Sequence, residues 1–83
     1  MTKSEIAGRL KSFLETELYN QGVPLTETTD LLEEWFVDSI GIIETVLFIE
    51  TQFGISVQRA DINGVNFKSI AALSEFVEQR LEA

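Results

Sequence analysis

Apolar positions recur along the chain in three helical patterns, separated by one long and one shorter mixed stretch. In the first, Ile6, Leu10, Phe13, Leu14 and Leu18 return every three or four residues and fall on one face of a helix. Thr2 and Glu5 have the spacing of a capping box, which sets the start. Gly8, inside this helix, costs about 1 kcal/mol relative to alanine. The helix is expected to stop over residues 19–22, where Gly22 suits a C-terminal cap and Pro24 opposes continuation.

Residues 23–37 form the long stretch. Leu25, Leu31, Leu32, Trp35, Phe36 and Val37 give it enough apolar surface to pack, so an ordered loop with a short turn near 29–34 is expected. Trp35 reads as the anchor of that loop to the core, with a partner contact as the alternative. The second helix spans 39–53, with Asp38 as N-cap and Gly54 as the closing cap. Its Ile42, Val46, Ile49 and Phe53 form one stripe, and Ile40, Ile43 and Leu47 form another beside it. A surface helix needs only one stripe, so the second signals either deep burial or a patch that faces a partner. Residues 59–63 suit a short helix with Ile62 turned inward. The last helix spans 69–81, with Ile70, Leu73, Phe76, Val77 and Leu81 inward and Phe67 packed just before it. The fold class that follows is all-α: a small bundle of three main helices plus one short helix, in a single domain over residues 1–83.

Charge and composition narrow the function. Fourteen acids against six bases leave a net charge of −8. Nucleic acids and anionic membrane surfaces are poor partners for such a chain, and basic proteins are good ones. Without cysteine or histidine the chain has no disulfide, no metal site of those ligands and no His- or Cys-dependent triad. The N-terminal residues lack the apolar core of a signal peptide, and a cytoplasmic monomer is expected.

The chemistry therefore concentrates on Ser39. It stands in the first turn of a helix behind a long loop, where a phosphate ester is favoured by free N–H groups and the positive end of the helix dipole. A solvated serine with no role is the alternative reading of the position taken alone. Its context resembles the acyl and peptidyl carrier protein family. Asp38-Ser39-Ile40 is similar to the family's Asp-Ser-Leu attachment motif. Phe53-Gly54-Ile55 resembles its helix end, and Asn66-Phe67-Lys68-Ser69-Ile70 its approach to the last helix.

The resemblance implies a 4′-phosphopantetheine arm, taken from coenzyme A by a phosphopantetheinyl transferase and joined to Ser39, with cargo held as a thioester. Asp38 would cap the helix and complete the motif. Ile40, Ile43 and Leu47, with Glu44 and Glu50, would form the docking surface, and Ile62 would touch the cargo. The chain would be a carrier rather than an enzyme. It would be served by a loading acyltransferase or ligase and by a downstream synthase or transferase. Two positions depart from the family pattern: Phe36 stands where many members have glycine, and Gly41 where fatty-acid carriers usually have an acid. These departures point to a stand-alone carrier of a dedicated polyketide, nonribosomal-peptide or D-alanyl type of pathway. The competing reading is an acidic helical interaction module without a prosthetic group.

Overall fold

A computed structural model describes residues 1–18, 24–36 and 38–82. Helix α1 spans Lys3–Glu17. The Thr2 hydroxyl accepts from the Glu5 N–H at 3.2 Å, and the Glu5 carboxylate accepts from the Thr2 N–H at 3.2 Å. The capping box is therefore complete. Ile6, Leu10 and Leu14 are buried, whereas Phe13 and Leu18 are partly buried against the core. The helix closes at Glu17, short of the expected stop, with Leu18 as cap donating to the Leu14 carbonyl at 3.0 Å. The expected Gly22 cap lies outside the described residues, as does Val37.

The long connection is ordered by the apolar residues that set it apart from a linker. Leu25, Leu31, Trp35 and Phe36 are all buried. A single π-helical turn, Leu31–Trp35, stands where a short turn is expected, and the Asp30 carboxylate caps it through the Glu33 N–H at 3.1 Å. Two backbone bonds fasten the connection to the far end of the chain. Leu31 N–H donates to the Lys68 carbonyl at 2.7 Å, and Ala71 N–H donates to the Glu27 carbonyl at 3.0 Å. The second bond satisfies a first-turn N–H that helix α3 (Ile70–Glu82) cannot pair internally. Ser69 Oγ satisfies the next one by accepting from Ala72 N–H.

Helix α2 spans Ser39–Phe53, as the sequence predicts, and ends at Gly54 with φ of 69°. In that left-handed region a side chain would be strained, so glycine closes the helix at little cost. Ile49 and Phe53 are buried, and Ile42 and Val46 lie against the core edge. The hydroxyls of Thr45 and Ser74 are fully buried but paired with carbonyls one turn back, Gly41 at 2.8 Å and Ile70 at 2.6 Å. The chief helix interface is between α1 and α3, with α2 crossing α3 more lightly. All described regular structure is helical, in three main helices with short turns between them.

Two inward assignments need correction. The expected short helix is one 3₁₀ turn, Arg59–Asp61, and Ile62 follows it 40% exposed rather than turned into the bundle. Three residues are too few to set an inner face, and this turn is held from its polar side instead. Leu81, in the last turn of α3, is 39% exposed rather than turned inward.

Arg80 does the holding near that end. Its guanidinium bonds Asp61 Oδ1 at 2.6 Å and the Ser56 carbonyl at 3.0 Å, and it lies 5.0 Å from the Phe76 ring centroid. The Gln58 N–H and the Arg80 guanidinium hold the Asp61 carboxyl below its ordinary value of 3.8. Bonds from Thr2 likewise hold Glu5 below 4.5. A carboxyl whose folded pKa is lowered contributes stability above its unfolded pKa, and that stability fades as pH falls through the folded value. Acid also relieves the self-repulsion of the −8 chain, which acts in the opposite direction. The Asp61 contribution is therefore read as a difference: on acidification from pH 6 to pH 3, the melting temperature of wild type should fall more than that of Arg80→Met. Parallel curves would exclude a stabilising role for the pair.

Candidate functional site

The head of α2 is built from three consecutive features. Asp38 is extended and turns its carboxylate onto the helix, accepting from Ile40 N–H at 3.0 Å and Gly41 N–H at 3.4 Å. Ser39 follows as the first helical residue, exposed to solvent, and its hydroxyl has no hydrogen-bond partner among the described residues. The Ile40, Ile43 and Leu47 side chains then descend the helix 60%, 55% and 57% exposed. Burial is thus excluded as the reason for the second apolar stripe. Three large aliphatic side chains on one short helix make a surface that favours contact with another molecule. Glu44 is exposed beside them.

Glu50 occupies a different setting. It is partly buried, and its carboxylate accepts from the Val57 N–H at 2.9 Å. It therefore ties the segment after α2 back onto the helix, a bond that spacing alone does not reveal.

The two departures from the family pattern meet in space. Gly41 is buried, and a Cβ there would stand 3.3 Å from Phe36 Cδ1 and 3.9 Å from Leu18 Cδ1. The Phe36 ring lies where a side chain at 41 would otherwise project. The bulky residue before the serine and the missing side chain after it form one packing unit, which fixes the approach of the loop to α2. A leucine at 41 should overpack this contact and destabilise the fold by about 1–3 kcal/mol. Denaturant unfolding of Gly41→Leu measures this, and a wild-type midpoint would show that the ring moves aside freely. Trp35, 4% exposed, is the anchor the sequence suggested, although its indole Nε1 is buried without a partner among the described residues.

Among the described residues there is no cluster of three acids, histidines or cysteines suited to a metal, and no helix long and apolar enough to cross a membrane.

Comparison with known proteins agrees with this geometry. Residues 8–77 match the family described as the phosphopantetheine attachment site. The chain is 24% identical over 80 residues to an acyl carrier protein of Thermotoga maritima, with 96% of each chain covered. It is 29% identical over 65 residues to an acyl carrier protein of Saccharopolyspora erythraea, covering 78% of this chain and 68% of the other. A chain in a crystal structure described as an FAD-dependent dehydrogenase superposes with a TM-score of 0.73 at 26% identity, covering 82% of this chain and 97% of that one. A chain in the complex of the Bradyrhizobium japonicum glycine:[carrier protein] ligase with glycylated carrier protein superposes with a TM-score of 0.65 at 20% identity, covering 88% and 95%. The family match takes in the capped head of α2 together with most of the core that supports it. The chain accordingly belongs to the phosphopantetheine-attachment family of carrier proteins, whose prosthetic group is 4′-phosphopantetheine.

Proposed function

We propose that Ser39 is the attachment point and that the chain serves as a stand-alone, non-catalytic acyl or aminoacyl carrier of a dedicated cytoplasmic pathway. The observation that carries this reading is an exposed serine hydroxyl, without a hydrogen-bond partner among the described residues, at the capped head of α2 next to an exposed apolar stripe. In the attachment step the Ser39 oxygen forms a P–O bond to the pantetheine phosphate of coenzyme A. The pyrophosphate bond breaks, and adenosine 3′,5′-bisphosphate leaves. The serine proton goes to a base of the transferase, because the neighbouring Asp38 carboxylate is engaged with two backbone N–H groups.

The residues at the head of α2 fit such an ester, since no described side chain pairs with the hydroxyl. They do not form an anion pocket. Among the described residues the adjoining cleft is lined by Glu17, Asp38 and Glu44 and by no cation, and Asp38 already occupies the Ile40 and Gly41 N–H groups. The chain thus holds the arm by its covalent bond and the helix dipole, which leaves the arm free to swing. Once bound, the group supplies a terminal thiol on which cargo is held as a thioester.

Ile40, Ile43 and Leu47 provide the apolar half of the docking surface and Glu44 the charged half. Glu50 adds charge at the lower end in addition to its bond to Val57. Ile62 remains on the surface as a contact for cargo or partner. The transferase, a loading acyltransferase or ligase, and a downstream synthase or transferase would read this surface in turn. Gly41 in place of an acid leaves the first turn of α2 uncharged, which supports a dedicated pathway over fatty-acid synthesis. The fold serves either cargo class, and one solved chain of this fold is a glycylated carrier.

Labelling with a fluorescent coenzyme A analogue and a broad-specificity transferase tests the reading. Stoichiometric labelling is expected, and an unlabelled, folded, previously unmodified protein would transfer support to the interaction module.

A further inference from the structure

We infer that the groove between α1 and α2 is a docking site for a basic amphipathic helix of a partner protein. The inference goes beyond the carrier reading, which gives docking to α2 alone, and it stands whether or not Ser39 carries an arm.

The groove is an open surface rather than a chamber. Because α1 packs chiefly on α3, α1 and α2 diverge around a space of about 1000 Å³. Every residue that lines it is exposed except Phe13 and Phe48, which are partly buried. Those two rings form the floor, stacked with centroids 4.2 Å apart. The buried Phe53 meets Phe48 edge-on at 6.0 Å, so the floor is held from the core side. Leu47 belongs both to the groove and to the exposed stripe that begins at Ile40. The apolar surface of α2 thus runs on into the groove and meets α1 there.

The chemistry of the walls selects the occupant. Glu5, Glu17 and Glu44 line the groove against the single Arg9. Glu17 and Glu44 also line the smaller cleft at the head of α2, so they flank the passage between the two spaces. One comes from each helix, and neither has an ion-pair partner among the described residues. An arginine or lysine placed there meets two carboxylates beside an aromatic floor, and both attract a cation. A second copy of this chain would bring its own net charge of −8 against the same acids. An added β-strand finds no free backbone edge, because both walls are helices. A helix does find room: from Gly8 to Glu17 α1 rises roughly 14 Å, or between two and three turns.

Gly8 supplies the apolar end of the site. Its φ is not positive, and a Cβ there would meet nothing within 4 Å. Neither backbone geometry nor packing within the chain requires glycine, yet the residue weakens the helix. It leaves a notch in the wall for an apolar side chain of the partner. Ser39 lines neither space, so a helix docked here leaves the serine free to be used by the same partner.

The test titrates the unmodified, isotope-labelled chain with a synthetic helical peptide that has leucines on one face flanked by arginines. Amide shifts are expected at Gly8, Ser12, Thr16 and Thr51, with nuclear Overhauser contacts from the leucine methyls to the Phe13 and Phe48 rings. Replacing the arginines by glutamates should abolish binding. The double variant Glu17→Gln/Glu44→Gln should weaken it about fivefold, as the loss of two exposed ion pairs would. Gly8→Gln, which favours the helix and fills the notch without adding charge, should weaken it about tenfold. No binding, shifts confined to the Ile40 end of α2 or to Val65–Phe76, or unchanged affinity in both variants would overturn the groove. Groove shifts that depend on protein concentration alone would assign it to a second copy and overturn the partner. Any of these failures leaves the Ser39 reading intact, and a failure of transfer onto Ser39 leaves the groove intact.

Discussion

Ser39→Ala should abolish attachment of the arm while leaving the fold unchanged. The hydroxyl is exposed and makes no hydrogen bond with the described residues, so its removal breaks no contact and opens no cavity. Alanine is also a better helix former than serine at a first-turn position. The expected thermal midpoint is within about 4 °C of wild type, since surface substitutions of this kind rarely exceed ±0.5 kcal/mol. Transfer from coenzyme A should nevertheless fall below detection. An effect this complete without destabilisation is what separates an attachment site from a structural residue. Asp38→Ala differs in kind, because it removes the cap from two N–H groups and should cost about 1 kcal/mol in addition to any loss of transferase recognition.

Leu31→Ala should destabilise the protein by about 2–5 kcal/mol, the range for large buried aliphatic side chains cut to alanine. Leu31 is fully buried although it belongs to a connection rather than to a main helix. Its backbone N–H also holds the Lys68 carbonyl, so the cavity would open where the connection is pinned to the approach of α3. A domain of this size has a thin core and a total stability near the low end of 5–15 kcal/mol. Such a loss would leave a substantial unfolded fraction at 37 °C. Urea unfolding with tryptophan fluorescence measures it directly, since Trp35 ends the same turn. A change below about 1 kcal/mol would mean that the connection contributes little to the core.

These two residues also mark what the sequence makes legible. Features governed by neighbours in the chain were readable: the Thr2–Glu5 capping box, the Asp38 cap, the Gly54 stop and the bounds of α2 all follow from residue type and spacing. The apolar character of the loop was readable for the same reason, because Leu31 and Trp35 have no other use in a linker. The exposure of Ile40, Ile43 and Leu47 was only half legible. Two stripes on one helix allow burial or a docking face, and the choice depends on where α1 and α3 lie.

Features that join distant segments were not readable. Glu50 looks like a surface acid until Val57 folds back onto it. Arg80 looks like a terminal charge until Ser56 and Asp61 come within reach. Ile62 and Leu81 followed the apolar rule into the core on paper, whereas the 3₁₀ turn and the end of α3 leave them outside. Phe36 and Gly41 were visible as two separate departures. Their five-residue spacing across a helix start carries a signal that ring and gap belong together, although only the packing of the loop against α2 makes the contact.

Intact mass of the wild-type protein, before and after incubation with coenzyme A and a broad-specificity phosphopantetheinyl transferase, followed by fragmentation of the modified peptide, tests the central claim most directly. A gain of one phosphopantetheine group located on Ser39 is the predicted result. A folded, initially unmodified chain that gains no mass, or that takes the group on another hydroxyl, would contradict it.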